Sequence, residues 1–190
     1  RGTGELIRSA LLGGAEKVWI GLGGSATNDG GAGMARALGV RFLDSRGREL
    51  PEGVGPLLRL ARIDPSGLMP QARRARFVAL SDVTNPLLGA KGSARVFGPQ
   101  KGASPAQVRL IERALAVYAR RLRSDLGVDV GHRPGGGAAG GLGAGLIAFL
   151  KARIEPGAPF VLRALRADDA IRRSDLIVTG EGRLDLQSFF

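Results

Sequence analysis

Four polar loops hold most of the residues in this 190-residue chain that could do chemistry. The first runs from Gly21 to Gly33 and directly follows the apolar run Val18-Trp19-Ile20. Bare backbone amides and hydroxyls beside a helix start are suited to binding oxyanions. We therefore predict that residues 21–33, called the glycine loop below, bind a phosphate or carboxylate group. The alternative is a flexible glycine turn.

The same loop allows a second interpretation, a nicotinamide dinucleotide site. Gly21-x-Gly23-x-x-Ala26 fits that fingerprint, and Asp44 follows about 20 residues on, where a ribose-binding acid would sit. The helix of such a site should begin at once, yet the polar and glycine residues 27–31 intervene and are poor helix formers. The anion site is therefore the prediction, and the dinucleotide site is the alternative.

The second loop, residues 81–89, follows the predicted apolar strand 77–80. A carboxylate just beyond a buried strand, here Asp82, can orient a hydroxyl or hold Mg²⁺. Asn85 is held extended by the proline after it and can point into the same cleft. The alternative for Asp82 is a cap on a turn.

The third and fourth loops carry cations and further glycines. Lys101 lies between glycines just before a helix start, where an amine can meet a phosphate, although a surface lysine is the alternative. The glycine run 134–143 is a second candidate phosphate cradle, with close helix packing as its alternative. Near the chain's end, Glu181 and Asp185 bracket Arg183, a set suited to Mg²⁺ and phosphate or to a surface ion pair.

The elements that must position these loops read as strands alternating with helices, which predicts an α/β fold with a parallel sheet. Ligands of such folds bind at the carboxyl ends of the strands, where these loops lie. The long helix that starts at the capping box of Ser104 and Gln107 and stops at Gly127 is predicted to be scaffold without chemistry. The predicted strands are 18–20, 40–43, 77–80 and 176–178. One further helix is predicted to start with Thr3 as its N-cap, and three others are predicted at 34–38, 146–150 and 162–171. Residues 57–63 are predicted to be either strand or helix, and a lobe boundary is predicted near residues 44–52.

Composition excludes several classes of protein. There is no cysteine and one histidine, His132, so thiolate metal sites, cysteine nucleophiles and histidine-metal clusters are excluded. The net charge of +11 allows an anionic partner, but with one Trp and one Tyr the chain lacks the stacking platforms of single-strand nucleic-acid binders. No signal or membrane-spanning segment is visible, so we expect a cytoplasmic protein.

Five strings in these loops resemble, in order and spacing, the bacterial-type glycerate kinases, which phosphorylate D-glycerate with ATP. The resemblance covers essentially the whole chain. The strings are Gly-Gly-Ser-Ala-Thr-Asn-Asp-Gly-Gly-Ala-Gly-Met (23–34), Asp-Val-Thr-Asn-Pro-Leu-Leu-Gly (82–89), Val-Phe-Gly-Pro-Gln-Lys-Gly-Ala (96–103), Pro-Gly-Gly-Gly-Ala-Ala-Gly-Gly-Leu-Gly (134–143) and Thr-Gly-Glu-Gly-Arg-Leu-Asp (179–185).

The resemblance implies three groups of site residues. Asp82 is the first choice to orient or deprotonate the substrate hydroxyl, and Asp29 could take the same role. The catalytic candidates are Asp82, Asp29 and Lys101; the substrate- and phosphate-binding candidates are Gly23, Gly24, Ser25, Thr27, Asn28, Asn85, Gly136, Gly137 and Arg183; the metal-binding candidates are Glu181 and Asp185.

The resemblance also implies a fold and a set of partners. The fold is two-lobed, with a Rossmann-like three-layer lobe and a second, smaller α/β lobe. The substrates are D-glycerate and ATP, with Mg²⁺ as cofactor, and 2-phosphoglycerate is the favoured product. Neither a specific nucleic acid nor a membrane is expected as a partner. For the oligomeric state, a homo-oligomer is one of the alternatives.

Members of the family carry further segments at both ends, so we predict that this chain is an internal fragment. A catalytically inactive module that holds a small acidic metabolite is therefore the second hypothesis.

Overall fold

A computed structural model describes residues 1–178 and divides the chain into two compact units, Arg1–Gly157 and Ala158–Phe190. The predicted loop 179–185 lies outside the described residues, and with it Glu181, Arg183 and Asp185. Residues 44–52 lie within the first unit. The lobe boundary at that point stays a prediction.

A three-stranded parallel sheet organises the first unit. Its strands are β1 (Lys17–Gly21), β4 (Arg76–Leu80) and β5 (Arg153–Glu155), in the order β1-β4-β5. The central strand is apolar and buried at three consecutive positions, as expected of a strand covered on both faces. Because all three strands run the same way, the segments that follow them meet at one edge. The α/β prediction is confirmed.

A second, antiparallel pair joins β2 (Arg41–Leu43) to β3 (Arg62–Asp64). A 3-10 turn at Gly55–Arg59 precedes β3. The sequence left residues 57–63 open between helix and strand, and both occur there in succession. This pair packs against the long helix α5 (Pro105–Leu126).

Helix α5 has the predicted ends. Ser104 Oγ accepts the Gln107 N–H at 3.3 Å, and Gln107 Oε1 accepts the Ser104 N–H at 2.8 Å, which completes the capping box. Gly127 ends the helix in the left-handed region with φ of 70°. The other helices of the first unit are α1 (Gly2–Leu12), α2 (Ala32–Ala37), α3 (Pro70–Arg74), α4 (Ser93–Phe97) and α6 (Ala138–Leu150).

Three sequence predictions about elements are wrong. The N-cap of helix α1 is Arg1 rather than Thr3, because the Arg1 carbonyl already accepts the N–H groups of Gly4 and Glu5 in the first turn. The predicted helix 162–171 is two helices, α7 (Gly157–Ala164) and α8 (Ala167–Arg172), separated by Arg166 with φ of 51°. Residues 176–178 form no strand with any described residue, and their apolar side chains are exposed.

Candidate anion-binding site

The glycine loop presents a row of open backbone donors at the carboxyl edge of the parallel sheet. The start of the loop is fixed by the Leu22 N–H, which donates to the Leu80 carbonyl at 2.8 Å. Its end is fixed by the Gly30 N–H, which donates to the Gly140 carbonyl at 3.1 Å. Between these anchors, the six N–H groups of residues 23–28 donate to no group within residues 1–178. Consecutive free amides of this kind suit an anion.

Asp29 shapes the far end of the loop. Its carboxylate accepts the Thr27 hydroxyl at 2.9 Å and the N–H groups of Gly31 and Gly33 at 3.0 and 2.8 Å. These bonds satisfy donors at the first turn of α2 and place a negative charge where the helix dipole favours one. Asp29 therefore has a defined structural role, which makes it the weaker of the two candidate bases.

Lys101 reaches the glycine loop from the 3-10 turn Pro99–Lys101. Its Nζ donates to the Thr27 carbonyl at 2.6 Å, to Ser25 Oγ at 3.0 Å and to Asn28 Oδ1 at 3.4 Å. Burial lowers the pKa of Lys101 below the ordinary lysine value. The structure thus brings the first and third predicted loops together. They line a cleft of about 320 Å³ formed by Leu22, Gly23, Gly24, Ser25, Val83, Phe97, Gln100, Lys101 and Ala139.

Tyr118 supports the glycine loop through a contact that the sequence did not reveal. It is fully buried on α5, and its hydroxyl donates to the Gly30 carbonyl at 3.1 Å. Burial, with a smaller effect from the charge of Asp29, raises the pKa of Tyr118 well above the usual value. A buried tyrosine hydroxyl needs a hydrogen-bond partner, so the sequence could have indicated that Tyr118 has one. It could not indicate which one, because Gly30 is 88 residues away in the chain.

The glycine run after Pro134 packs against the other loops. A Cβ at Gly140 would overlap the Thr27 carbonyl, and one at Gly137 would overlap the Pro86 carbonyl. The N–H groups of Gly136 and Gly137 donate to the carbonyls of Arg133 and Asn85 at 3.0 and 2.9 Å. These contacts favour the close-packing alternative, and phosphate binding by Gly136 and Gly137 remains a prediction.

The second loop lies at the same edge of the sheet. Asp82 follows β4, and its Oδ1 accepts the N–H of Gly157 at 2.9 Å. Its neighbour Val83 lines the cleft of the glycine loop. Asn85 donates from Nδ2 to the Lys91 carbonyl at 2.9 Å and so fixes its own loop.

The dinucleotide alternative does not fit the sheet. Asp44 follows β2, which belongs to the antiparallel pair and is not a neighbour of β1. Its carboxylate accepts the N–H groups of Arg46 and Arg48 at 2.8 and 3.0 Å. A ribose-binding acid must end a strand beside the glycine-rich turn, so this interpretation is wrong.

Within residues 1–178, no group of three His, Cys, Asp or Glu side chains is placed to hold a metal ion. The predicted Mg²⁺ ligands Glu181 and Asp185 lie beyond these residues. No helix of the same part is both long and apolar enough to cross a membrane.

The fold is that of an α/β protein, and the glycine loop is a candidate anion-binding site at the carboxyl edge of its parallel sheet. The model of the Glycerate kinase family matches residues 1–190, and this chain belongs to that family.

Relatives and a solved structure agree with this membership. The chain is 50% identical over 188 residues to "Glycerate 2-kinase" of Escherichia coli K12, covering 99% of this chain and 49% of the relative. It is 48% identical over 189 residues to "Glycerate kinase" of Halalkalibacterium halodurans, covering 100% and 50%. A crystal structure of a Salmonella typhimurium LT2 protein assigned as glycerate kinase 2 matches with a TM-score of 0.88 and 49% identity, covering all of this chain and 50% of that one. The chain thus spans about half the length of the curated relatives it matches.

Proposed function

We propose that the protein transfers the γ-phosphoryl group of ATP to a hydroxyl of D-glycerate, with 2-phosphoglycerate as the favoured product. Family membership supports the reaction class. The observation that carries the proposal is the row of open N–H groups at residues 23–28 beside the Lys101 ammonium. Phosphoryl transfer is catalysed mainly by positioning and by neutralising charge, and these groups can do both.

The glycine loop would hold the phosphoryl oxygens. Both ends of the loop are fixed before any ligand arrives, the start by Leu80 and the far end by Asp29, Tyr118 and Gly140. Lys101 would exchange a hydrogen bond to the loop, such as that to Thr27, for one to the phosphoryl group. Because these donors are already oriented, little reorganisation is needed when charge develops.

Asp82 would orient the substrate hydroxyl and accept its proton. The hydroxyl oxygen then forms a bond to the γ-phosphorus, the bond from that phosphorus to the bridging oxygen of ATP breaks, and ADP leaves with the electron pair. One Asp82 oxygen accepts the Gly157 N–H, which fixes the carboxylate at the end of β4.

Mg²⁺, bound with the nucleotide, would offset phosphate charge, and Glu181 and Asp185 are its proposed ligands. Asn85, Gly136, Gly137 and Arg183 remain proposed contacts for substrate or phosphate. We place the reaction in the cytoplasm, as for a metabolic kinase that uses ATP.

A coupled assay with ATP, Mg²⁺ and D-glycerate tests the proposal, run on the 190-residue chain and on a chain extended at both ends. Lys101→Met should reduce kcat/KM at least about 100-fold, since it removes a cation from the transferred phosphoryl group. Lys91→Met, which removes an exposed lysine, is the matched control and should stay within about twofold.

The outcomes separate the hypotheses. Activity in either chain that is lost in Lys101→Met supports the proposal, and activity only in the extended chain locates further essential groups outside residues 1–190. Binding of D-glycerate without turnover in both chains would overturn it in favour of a non-catalytic module.

A further inference from the structure

The opposite end of the parallel sheet carries a cluster of cations that the proposed reaction does not use. Each strand has one: Lys17 on β1, Arg76 on β4 and Arg153 on β5. The register aligns Lys17 with Arg76 and Val78 with Arg153. Aligned residues of neighbouring strands, and residues two apart in one strand, point to the same face. All three cations therefore lie on one face of the sheet at its amino end.

Three more cations complete this cluster, which we call the basic basin. Arg73 and Arg74 belong to the last turn of α3, and Lys151 follows α6 with a left-handed φ of 53°. The six cations line two neighbouring hollows of about 670 and 550 Å³. The basic basin consists of Lys17, Arg73, Arg74, Arg76, Lys151 and Arg153.

The charges of the basic basin are not neutralised by the described part of the chain. None of its six cations forms an ion pair within residues 1–178. Arg73 donates to the carbonyls of Pro65, Ser66 and Leu68, which holds the side chain but leaves its charge. Two carboxylates, Glu16 and Glu155, line the same hollows. Six cations against two carboxylates leave a concave surface with an excess of positive charge.

We propose that the basic basin is a binding site for a small multivalent anion that carries two or three linked phosphate groups. Adjacent strands lie about 4.8 Å apart, so cations on three strands span about 10 Å, which a single phosphate cannot bridge. Four of the six cations are arginines, whose guanidinium groups bind phosphate oxygens in pairs. The concave shape favours a compact ligand over a flat macromolecular surface.

This site is separate from the glycine loop. The loop begins at Gly21, the last residue of β1, whereas Lys17 is the first residue of that five-residue strand. At about 3.3 Å per residue, the two ends of the strand are more than 10 Å apart. One ligand group therefore cannot occupy both sites, and the inference does not depend on the proposed function.

The chain contains a reporter for this site, because Trp19 is its one tryptophan. The Lys17 Nζ lies 4.6 Å from the centroid of the Trp19 ring, and the ring is 46% exposed. A ligand that draws Lys17 away from the ring changes the charge beside the indole. Trp19 fluorescence should therefore respond to an anion in the basic basin.

The test is a fluorescence titration of the protein with inorganic tripolyphosphate in buffer without Mg²⁺. We expect a saturable change that Arg76→Gln with Arg153→Gln weakens at least about 10-fold, since each substitution removes a charge-assisted contact. Arg120→Gln with Arg121→Gln removes the same charge from helix α5, none of whose residues lines either hollow, and should change the affinity by less than about twofold.

Lys101→Met separates this site from the glycine loop. Because Lys101 lies at the other end of the sheet, its loss should leave the Trp19 response unchanged. The inference is overturned if Trp19 does not respond, if both arginine pairs weaken the response equally, or if Lys101→Met abolishes it.

Discussion

At the scale of single residues, Lys101 joins two loops that are far apart in the chain. Its ammonium meets three oxygens of the glycine loop, and the closest is the Thr27 carbonyl. Three acceptors stabilise the charged form, whereas burial lowers the pKa. The charge available for an anion is therefore lost at a lower pH than it would be for an exposed lysine.

Asp82→Asn tests the proposed base. The asparagine Oδ1 can still accept the Gly157 N–H, so we expect the fold to survive. The amide cannot accept the hydroxyl proton, so kcat should fall about 10² to 10⁴-fold in the active form of the protein. Steady-state kinetics measure the loss, with Asp168→Asn on α8 as the control. Near-normal turnover would remove Asp82 from the mechanism.

Tyr118→Phe tests the anchor beneath the glycine loop. The change leaves the buried Gly30 carbonyl without the hydroxyl that it accepts, which should cost about 1–3 kcal/mol in the free energy of unfolding. Urea denaturation measures that loss. The same variant should bind phosphate more weakly, because residues 23–28 lose a fixed end. Wild-type stability and phosphate affinity together would show that Tyr118 does not position the loop.

At the scale of elements, the first turn of α6 is built for close approach rather than for regular helix. Ala139, Gly140 and Gly141 all have left-handed backbone angles, and the regular helix follows them. This shape lets the Gly140 carbonyl accept the Gly30 N–H while the two backbones touch. The backbone of this first turn, rather than a side chain, therefore holds the end of the glycine loop in place.

Gly140→Ala should disrupt this junction. The new methyl group would overlap the Thr27 carbonyl, and φ of 70° disfavours any residue with a Cβ. We expect a large loss of stability, about 2 kcal/mol or more, or a displaced loop with weakened phosphate binding. Gly55→Ala is the control, since its Cβ would meet nothing within 4 Å and its φ is not positive. Similar thermal unfolding of both variants would contradict this account of α6.

Helix α5 shows how a scaffold element acquires a second role. Its apolar residues recur at spacings of three and four, and Leu115, Tyr118 and Leu122 are buried. The spacing predicts that Tyr118 points inward. It does not predict that the hydroxyl meets Gly30 rather than another buried acceptor.

At the scale of the whole molecule, stability should depend on an ion pair in the antiparallel sheet. The Arg41 guanidinium donates to Asp64 at 2.5 Å, and this bond, with further bonds from Ser66, holds the pKa of Asp64 well below its usual range. A carboxyl whose pKa is lowered on folding stabilises the fold above its unfolded pKa, and this contribution is lost as the pH falls.

The resulting prediction concerns acid unfolding. The melting temperature should fall as the pH drops below about 4, and Asp64→Asn should both lower it at pH 7 and reduce its dependence on pH. Scanning calorimetry between pH 2 and 7 measures both effects, with the exposed Asp175→Asn as the control. An unchanged pH dependence in Asp64→Asn would show that this pair does not govern acid stability.

The sequence by itself determined the fold class and the positions of the candidate loops. Apolar runs as short as Phe77 to Leu80 belong to buried strands, and capping residues such as Ser104 fix helix ends, because both signals are local. The order and spacing of the loop strings were enough to indicate the family to which the chain belongs. Local signals predicted one helix over residues 162–171, which is wrong because the backbone of Arg166 adopts the left-handed conformation and divides that segment into two helices.

Only the tertiary structure decided which groups meet. Lys101 reaches Thr27 across 74 residues and Tyr118 reaches Gly30 across 88, and no local pattern encodes such distances. The alignment of Lys17, Arg76 and Arg153 on one face likewise depends on the strand order and register. The physical reason is that residue types and spacing set local conformation, whereas contacts between distant segments are set by how the whole core packs.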